Sequence, residues 1–254
     1  MKKITLSSFK GGVGKSSIAV LLGTTYASAG MKVLIIDLDH QRNATTFHAT
    51  ELKTIAEHNI AEAFHRGTLN GNILPSHIAG TDFVAGSFGI LQQRAASAHT
   101  LRRLLEPIED DYDICIIDTP PTLDNIVLNA WTAADRIVTP ARLDGYDLDG
   151  VATLGMAIEA EQPERLPGWS VILNFYRPPR TTKYDSLSLQ MEDAFWKRYS
   201  NLSAVRIPDS TAVHRAIHNG EAITPAQRTK KVYEAFTALA SDLIGEPVNP
   251  GGTI

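Results

Sequence analysis

The chain has 254 residues, 43% of them hydrophobic and 20% charged, which suffices for one large domain with a substantial core. A formal net charge of −4 excludes a general polyanion binder, so any nucleic-acid contact has to come from a local basic patch. A single cysteine, Cys115, excludes an intrachain disulfide and a CxxC metal site, and no stretch approaches the ~20 apolar residues that span a bilayer.

In chain order, the opening MKKITLSS is too short and too polar for a secretory signal, which predicts a cytoplasmic protein. Residues 4–8 predict a first strand, and a glycine-rich loop leads from it into a helix over 16–29 that Gly30 ends. Apolar, β-branched runs at 32–37, 82–85, 112–118, 136–140, 170–174 and 205–207 predict further strands. Cys115 falls inside one of them, as a small buried hydrophobe. The runs are continuous and not alternating, as in strands covered on both faces. They predict an α/β fold: a single domain over residues 1–245 with a mostly parallel twisted sheet flanked by helices. The last helix, over 232–244, has apolar spacing, carries Glu234 and Asp242 with no Lys or Arg of its own, and is expected to pack on the domain. Residues 246–254 are rich in Pro and Gly and predict a loosely ordered tail.

Parallel sheets bind ligands beyond the carboxyl ends of their strands, so the loops after Ser8, Asp37, Asp118 and Pro140 are where chemistry is expected. The first of these loops reads Lys10-Gly11-Gly12-Val13-Gly14-Lys15-Ser16-Ser17, between a strand and a helix. Glycines let a backbone wrap a polyphosphate, and the helix start adds the positive end of its dipole. Lys15 is expected to reach the β- and γ-phosphates of ATP, and the Ser16 hydroxyl to ligate Mg2+. The spacing departs from GxxxxGK[ST]. Phe9 stands where the first glycine would fall, and a lysine precedes two glycines. Asp37 and Asp39 end the second strand, where carboxylates facing bound phosphates suit water positioning and metal neutralisation. Asp118 closes the run Ile116-Ile117 and opens Thr119-Pro120-Pro121, the position of a carboxylate that meets Mg2+ through water.

The blocks KGGVGKS, DLDHQRNAT and IIDTPP, in that order, resemble the ParA/MinD family of deviant Walker A P-loop ATPases, above all the small ParA partition type. The resemblance runs from Lys3 to about Gly245. It implies slow, partner-stimulated ATP hydrolysis, an ATP-dependent homodimer and a cargo moved by that cycle. It implies that Lys10 crosses the dimer interface to the partner's nucleotide and that Asp39 prepares the attacking water, while Asp37 supports Mg2+ and the loop. His40 and Arg42 replace the family's Pro and Gly, and Asp144 takes the place of a Glu in a stretch where dimer contact is expected. Asn174 lies where related ATPases place adenine-binding groups, or else caps a turn, and Pro208 begins the stretch that flanks the base.

Partition members of the family bind duplex DNA of any sequence as ATP dimers on the nucleoid, with a ParB-like centromere-binding adaptor. Residues 177–231 hold ten basic and five acidic side chains, a local +5. Arg180, Lys183, Arg228, Lys230 and Lys231 are the candidate phosphate contacts. An arginine that often follows the family's Ile-Pro is replaced by Ala212, and the likeness to the small type carries the expectation of no helix-turn-helix segment before the first strand. Two alternatives stand beside DNA partition. One is a MinD-like or other positioning ATPase for a membrane or protein cargo. The other is a P-loop biosynthetic ligase, a group that generally lacks the lysine before the paired glycines.

Overall fold

The computed structural model describes residues 1–250 except Asp144, 178–189, Met191, 195–196, 198–200 and Arg228, and except the side chains of Leu52, Gly145, Tyr146, Leu148 and Leu202. In its first half, β1 (Lys2–Leu6), α1 (Lys15–Ser28) and β2 (Val33–Asp37) are followed by three short helices, α2 (Asn43–His48), α3 (Leu52–Glu57) and α4 (Ile60–Arg66). Next come β3 (Ile73–Pro75), β4 (Thr81–Val84), α5 (Thr100–Leu105), β5 (Ile114–Asp118) and α6 (Asn125–Ala133). The rest comprises β6 (Arg136–Ala141), α7 (Gly145–Glu161), β7 (Trp169–Tyr176), β8 (Leu202–Pro208), α8 (Thr211–Asn219) and α9 (Lys230–Ile244).

These strands make one sheet in the order β3-β4-β2-β5-β1-β6-β7-β8. Every pairing is parallel except β3 with β4. Successive residues of a strand face opposite sides, and here both sides are covered. Val33 and Ile35 of β2 join Ile114 and Ile116 of β5 in the core beneath α1, α8 and α9. Their alternates Leu34, Ile36, Cys115 and Ile117 join the core beneath α4, α5 and α6. That double coverage is why the runs read as continuously apolar, and it places Cys115 as a buried hydrophobe. Burial pushes its thiol pKa up to about 12.

Three expectations change. The three-residue, antiparallel edge strand β3 was not anticipated, because a half-exposed run of that length has no periodicity to read. The last helix begins at Lys230, so it carries Lys230 and Lys231 in its first turn. Residues 246–250 are docked rather than loose: Val248 is 3% exposed, its N–H donates to Ser241 Oγ at 2.9 Å, and Tyr233 Oη donates to the Pro250 carbonyl at 2.5 Å.

Trp131 of α6 is the largest fully buried side chain. Its indole N–H donates to Ser7 Oγ at 2.9 Å, which ties α6 to the residue after β1. Trp131→Ala is expected to cost about 3–5 kcal/mol, the range for removing a buried aromatic, read as a lower denaturation midpoint in urea.

Candidate nucleotide site

A cavity of about 830 Å³ opens at the carboxyl ends of the central strands and is lined by Gly11, Gly12, Gly14, Lys15, Ser16 and Asp39 among others. Its floor is set by strand register. Asp118 pairs with Leu6 of β1 on one side and with Asp37 of β2 on the other. Neighbouring strands lie about 4.8 Å apart, so register alone puts the two carboxylates side by side. The loop that leaves β1 and enters α1 passes above them.

That loop is held by its glycines and by Asn174. Gly14 is the N-cap of α1 at φ 93, a left-handed backbone that glycine adopts without a clash. A Cβ there would also meet Asn174 Nδ2 at 2.3 Å. The same amide donates to the Val13 carbonyl at 2.8 Å. Asn174 therefore braces the phosphate loop, and it also lines the smaller cavity beside it. That cavity measures about 80 Å³ and is also lined by Phe175, Ile207, Ser210 and His214. Pro208 is another of the residues lining this cavity. Phe175 lines both cavities with φ 53, an uncommon backbone for a non-glycine residue, and nothing in its sequence context announces it.

Lys15 starts α1 and is buried, with Nζ 3.4 Å from the Lys10 carbonyl. Burial lowers the pKa of its ammonium, and the charges of Asp118 and Asp39 pull it back up. Asp37 has all its bonds inside the protein. Its Oδ1 accepts from Asp39 N at 2.9 Å, and its Oδ2 accepts from Thr45 N at 2.8 Å and Thr45 Oγ1 at 2.7 Å. Burial nevertheless raises its pKa to about 6 against those bonds. Asp118 is fully buried, and neither carboxylate oxygen has a partner in normal hydrogen-bond geometry. Its pKa is raised well above the carboxylate range, first by burial and then by Asp37, with the nearby Ser16 hydroxyl and Lys15 opposing.

Two buried, unneutralised carboxylates beside a serine hydroxyl are a chemistry that a hard divalent cation satisfies. Among the described residues no group of three or more His, Cys, Asp or Glu could hold a metal by itself. A Mg2+ here would be completed by phosphate oxygens and water, as is usual for that ion.

Asp39 stands at the cavity wall, 5% exposed, with Oδ1 accepting from Gln41 N at 2.9 Å. His40 Nδ1 lies 3.4 Å from the same oxygen, and the His40 ring meets Phe88 edge-on at 6.1 Å. Arg42 occupies a left-handed backbone at φ 58 at the start of α2. Two residues of this loop system carried no sequence expectation. Thr45 Oγ1 accepts from Gly86 N at 2.7 Å, which ties the loop after β2 to the one after β4. A Cβ at Gly86 would come within 2.8 Å of the Asp39 carbonyl and 2.9 Å of Asp37 Cγ.

Lys10 forms an ion pair with Asp147 of α7. Asp144, Arg180, Lys183 and Arg228 lie outside the described residues. Of the remaining candidate phosphate contacts, Lys230 Nζ is 3.7 Å from Glu234, and Lys231 is exposed. Other cations of the basic segment are also paired: Arg177 with Asp209, Lys197 with Asp193, and Arg206 with Glu192. The acids of these three pairs are already subtracted in the local +5, and of the four pairing acids named Glu234 alone lies outside that count.

A phosphate loop on a parallel sheet, with a buried lysine and carboxylates at adjacent strand ends, defines a P-loop nucleotide-binding protein. The profile of the AAA domain family AAA_31 matches residues 1–165. The chromosome-partitioning ATPase Soj of Thermus thermophilus is 28% identical over 253 residues, 96% of each chain. The chromosome partitioning protein ParA of Caulobacter vibrioides is 31% identical over 193 residues, 69% of this chain and 70% of that one. Among solved structures, a plasmid partition protein from Borrelia burgdorferi B31 bound to AMPPNP has the same fold. Its TM-score is 0.76 at 22% identity, over 92% of this chain and 96% of that one. The chain belongs to the AAA_31 domain family and is a P-loop ATPase of the ParA/MinD family.

Gly86→Ala should displace the Asp37–Asp39 loop, because the added methyl meets backbone and a buried carboxylate. ATP turnover is expected to fall roughly 10²-fold, the scale for an ångström-level misplacement, while ATP affinity changes less. Steady-state ATPase rates beside a calorimetric ATP titration check this.

Proposed function

We propose that this protein is an ATP-switched homodimer that segregates or positions DNA in the cytoplasm, binding duplex DNA of any sequence with ATP and leaving it after hydrolysis. The observation that carries the reading is Lys10 ahead of the paired glycines, on a P-loop that already has its own phosphate lysine, Lys15. A single site has no need of a second lysine, whereas a nucleotide shared between two subunits does. Relatives named for chromosome partitioning support the choice of cargo.

In this reading the loop from Lys10 to Ser17 cradles the phosphates, and Lys15 neutralises them. Ser16 and Asp118 hold Mg2+, with Asp37 adding charge from behind while it braces the loop. Bound Mg2+ offsets the phosphate charge. Asp39 orients the water that attacks the γ-phosphate, and Gln41 N–H fixes the direction of its carboxylate. Phe175, Pro208 and their neighbours form the wall for the base. Lys10 reaches the partner's phosphates. Lys230 and Lys231 remain DNA-contact candidates together with Arg180, Lys183 and Arg228, and a ParB-like adaptor stimulates the cycle.

Lys15→Ala removes the main phosphate cation, so ATP binding should be lost in a calorimetric titration. Unchanged affinity there would refute the P-loop assignment.

Asp39→Ala should separate binding from hydrolysis. ATP affinity is expected to hold, since Lys15 and Ser16 remain, while turnover falls by roughly 10²-fold or more. The variant should accumulate as a dimer and stay on random-sequence duplex DNA longer than wild type. Binding of both should weaken steeply with salt, by about 0.9 in the log–log slope per phosphate neutralised. Absence of ATP-dependent DNA binding even at low salt would move the cargo to a protein or membrane surface.

A further inference from the structure

Two side chains beside the phosphate loop, Asp147 and Arg142, have no part in the roles given so far. Asp147 lies in the first turn of α7 with its side chain 2% exposed. Its Oδ1 takes the Lys10 ammonium, and its Oδ2 accepts from the backbone N–H of Arg142 at 2.6 Å. Arg142 turns back over the loop. Its guanidinium donates to the Gly12 carbonyl and lies 4.7 Å from the centre of the Phe175 ring. The turn between β6 and α7 thus grips the phosphate loop at two points, Lys10 on one side of Gly11 and Gly12 on the other.

The grip has an energetic consequence. A carboxylate this buried is poorly solvated, and parting it from its cation is costly. Lys10 is the more exposed partner, at 38%, and the end that can move. Its ammonium reaches a phosphate on a second subunit only by leaving Asp147. The lysine therefore trades one anion for another, and the trade runs towards the greater negative charge. A triphosphate offers more charge than a diphosphate. A competing anion placed inside the subunit is a way to reject the weaker of two ligands.

We propose that Asp147 is a specificity-determining residue for dimerisation. By holding Lys10 in its own subunit, it sets the phosphate charge needed to draw the lysine across, so that ATP assembles the dimer and ADP does not. The inference rests on the reading that Lys10 contacts the partner's nucleotide.

Light scattering of the full chain during titrations with Mg-ATP and with Mg-ADP tests it, on wild type, Asp147→Asn and Lys10→Ala. Asparagine keeps an oxygen for the Arg142 N–H and removes the charge. If its thermal unfolding shows a damaged fold, the smaller Asp147→Ser takes its place. The expected result is half-dimerisation at about tenfold lower ATP, equivalent to ~1.4 kcal/mol, and the appearance of a dimer with ADP. An unchanged ATP threshold with no ADP dimer overturns the proposal. So does loss of the ATP dimer in a folded Asp147 variant, since Asp147 would then be presenting Lys10 rather than withholding it. Lys10→Ala separates the two layers. If it dimerises like wild type, the lysine does not cross and the premise itself has failed. If it does not dimerise while the Asp147 variants match wild type, only the role given to Asp147 is lost.

Discussion

Two carboxylates at the same level of adjacent parallel strands, both cut off from water, are the constraint around which the rest of this molecule is arranged. Asp37 and Asp118 repel each other, and burial drives both towards their neutral forms. What surrounds them manages that charge. Three hydrogen bonds spend the oxygens of Asp37 on Asp39 N and Thr45. Lys15, itself lowered by burial, leans electrostatically on Asp118 and Asp39. The oxygens of Asp118 face Ser16 without a conventional bond, the arrangement a Mg2+ would complete. A bound Mg2+ would relieve this electrostatic conflict built into the sheet, and nucleotide phosphates would share the same cation.

The central sheet and the loop chemistry were readable from the sequence because they depend on contiguous residues. Val33–Asp37 and Ile114–Asp118 announce themselves as buried strands ending in aspartate, and the loop before α1 carries its chemistry in eight consecutive letters. What escaped depends on distant pairs. Asn174 reaches Val13 across 161 positions, and Asp147 meets Lys10 across 137. No local pattern marks such partners. Gly86 escaped for a related reason: its importance is the absence of a side chain beside Asp37 and Asp39, visible only once three loops are assembled. The docking of residues 246–250 escaped because Pro and Gly suggest looseness, while the segment is seated by buried Val248 and by hydrogen bonds with Ser241 and Tyr233 of α9, partners that no local pattern marks.

The packing of α9 also bears on the choice between a DNA-directed and a membrane-directed relative. Val232, Phe236, Leu239, Ala240 and Leu243 are buried in the core, and Tyr26 Oη of α1 donates to the Ala240 carbonyl at 2.9 Å. The helix has committed its apolar stripe to the domain, so little of that stripe is left to lie in a bilayer interface. Its two leading lysines, Lys230 and Lys231, are both exposed. Their value to a polyanion lies in exposure, not in amphipathicity.

Arg42 carries the last consequence. It sits at the pivot between the strand that ends in Asp37 and the helix that supplies Thr45, in a backbone pose that costs an L-residue roughly 1–2 kcal/mol and a glycine almost nothing. The Arg42 N–H donates to the Asp39 carbonyl at 2.9 Å, so the pose bears directly on the residue that stands at the cavity wall.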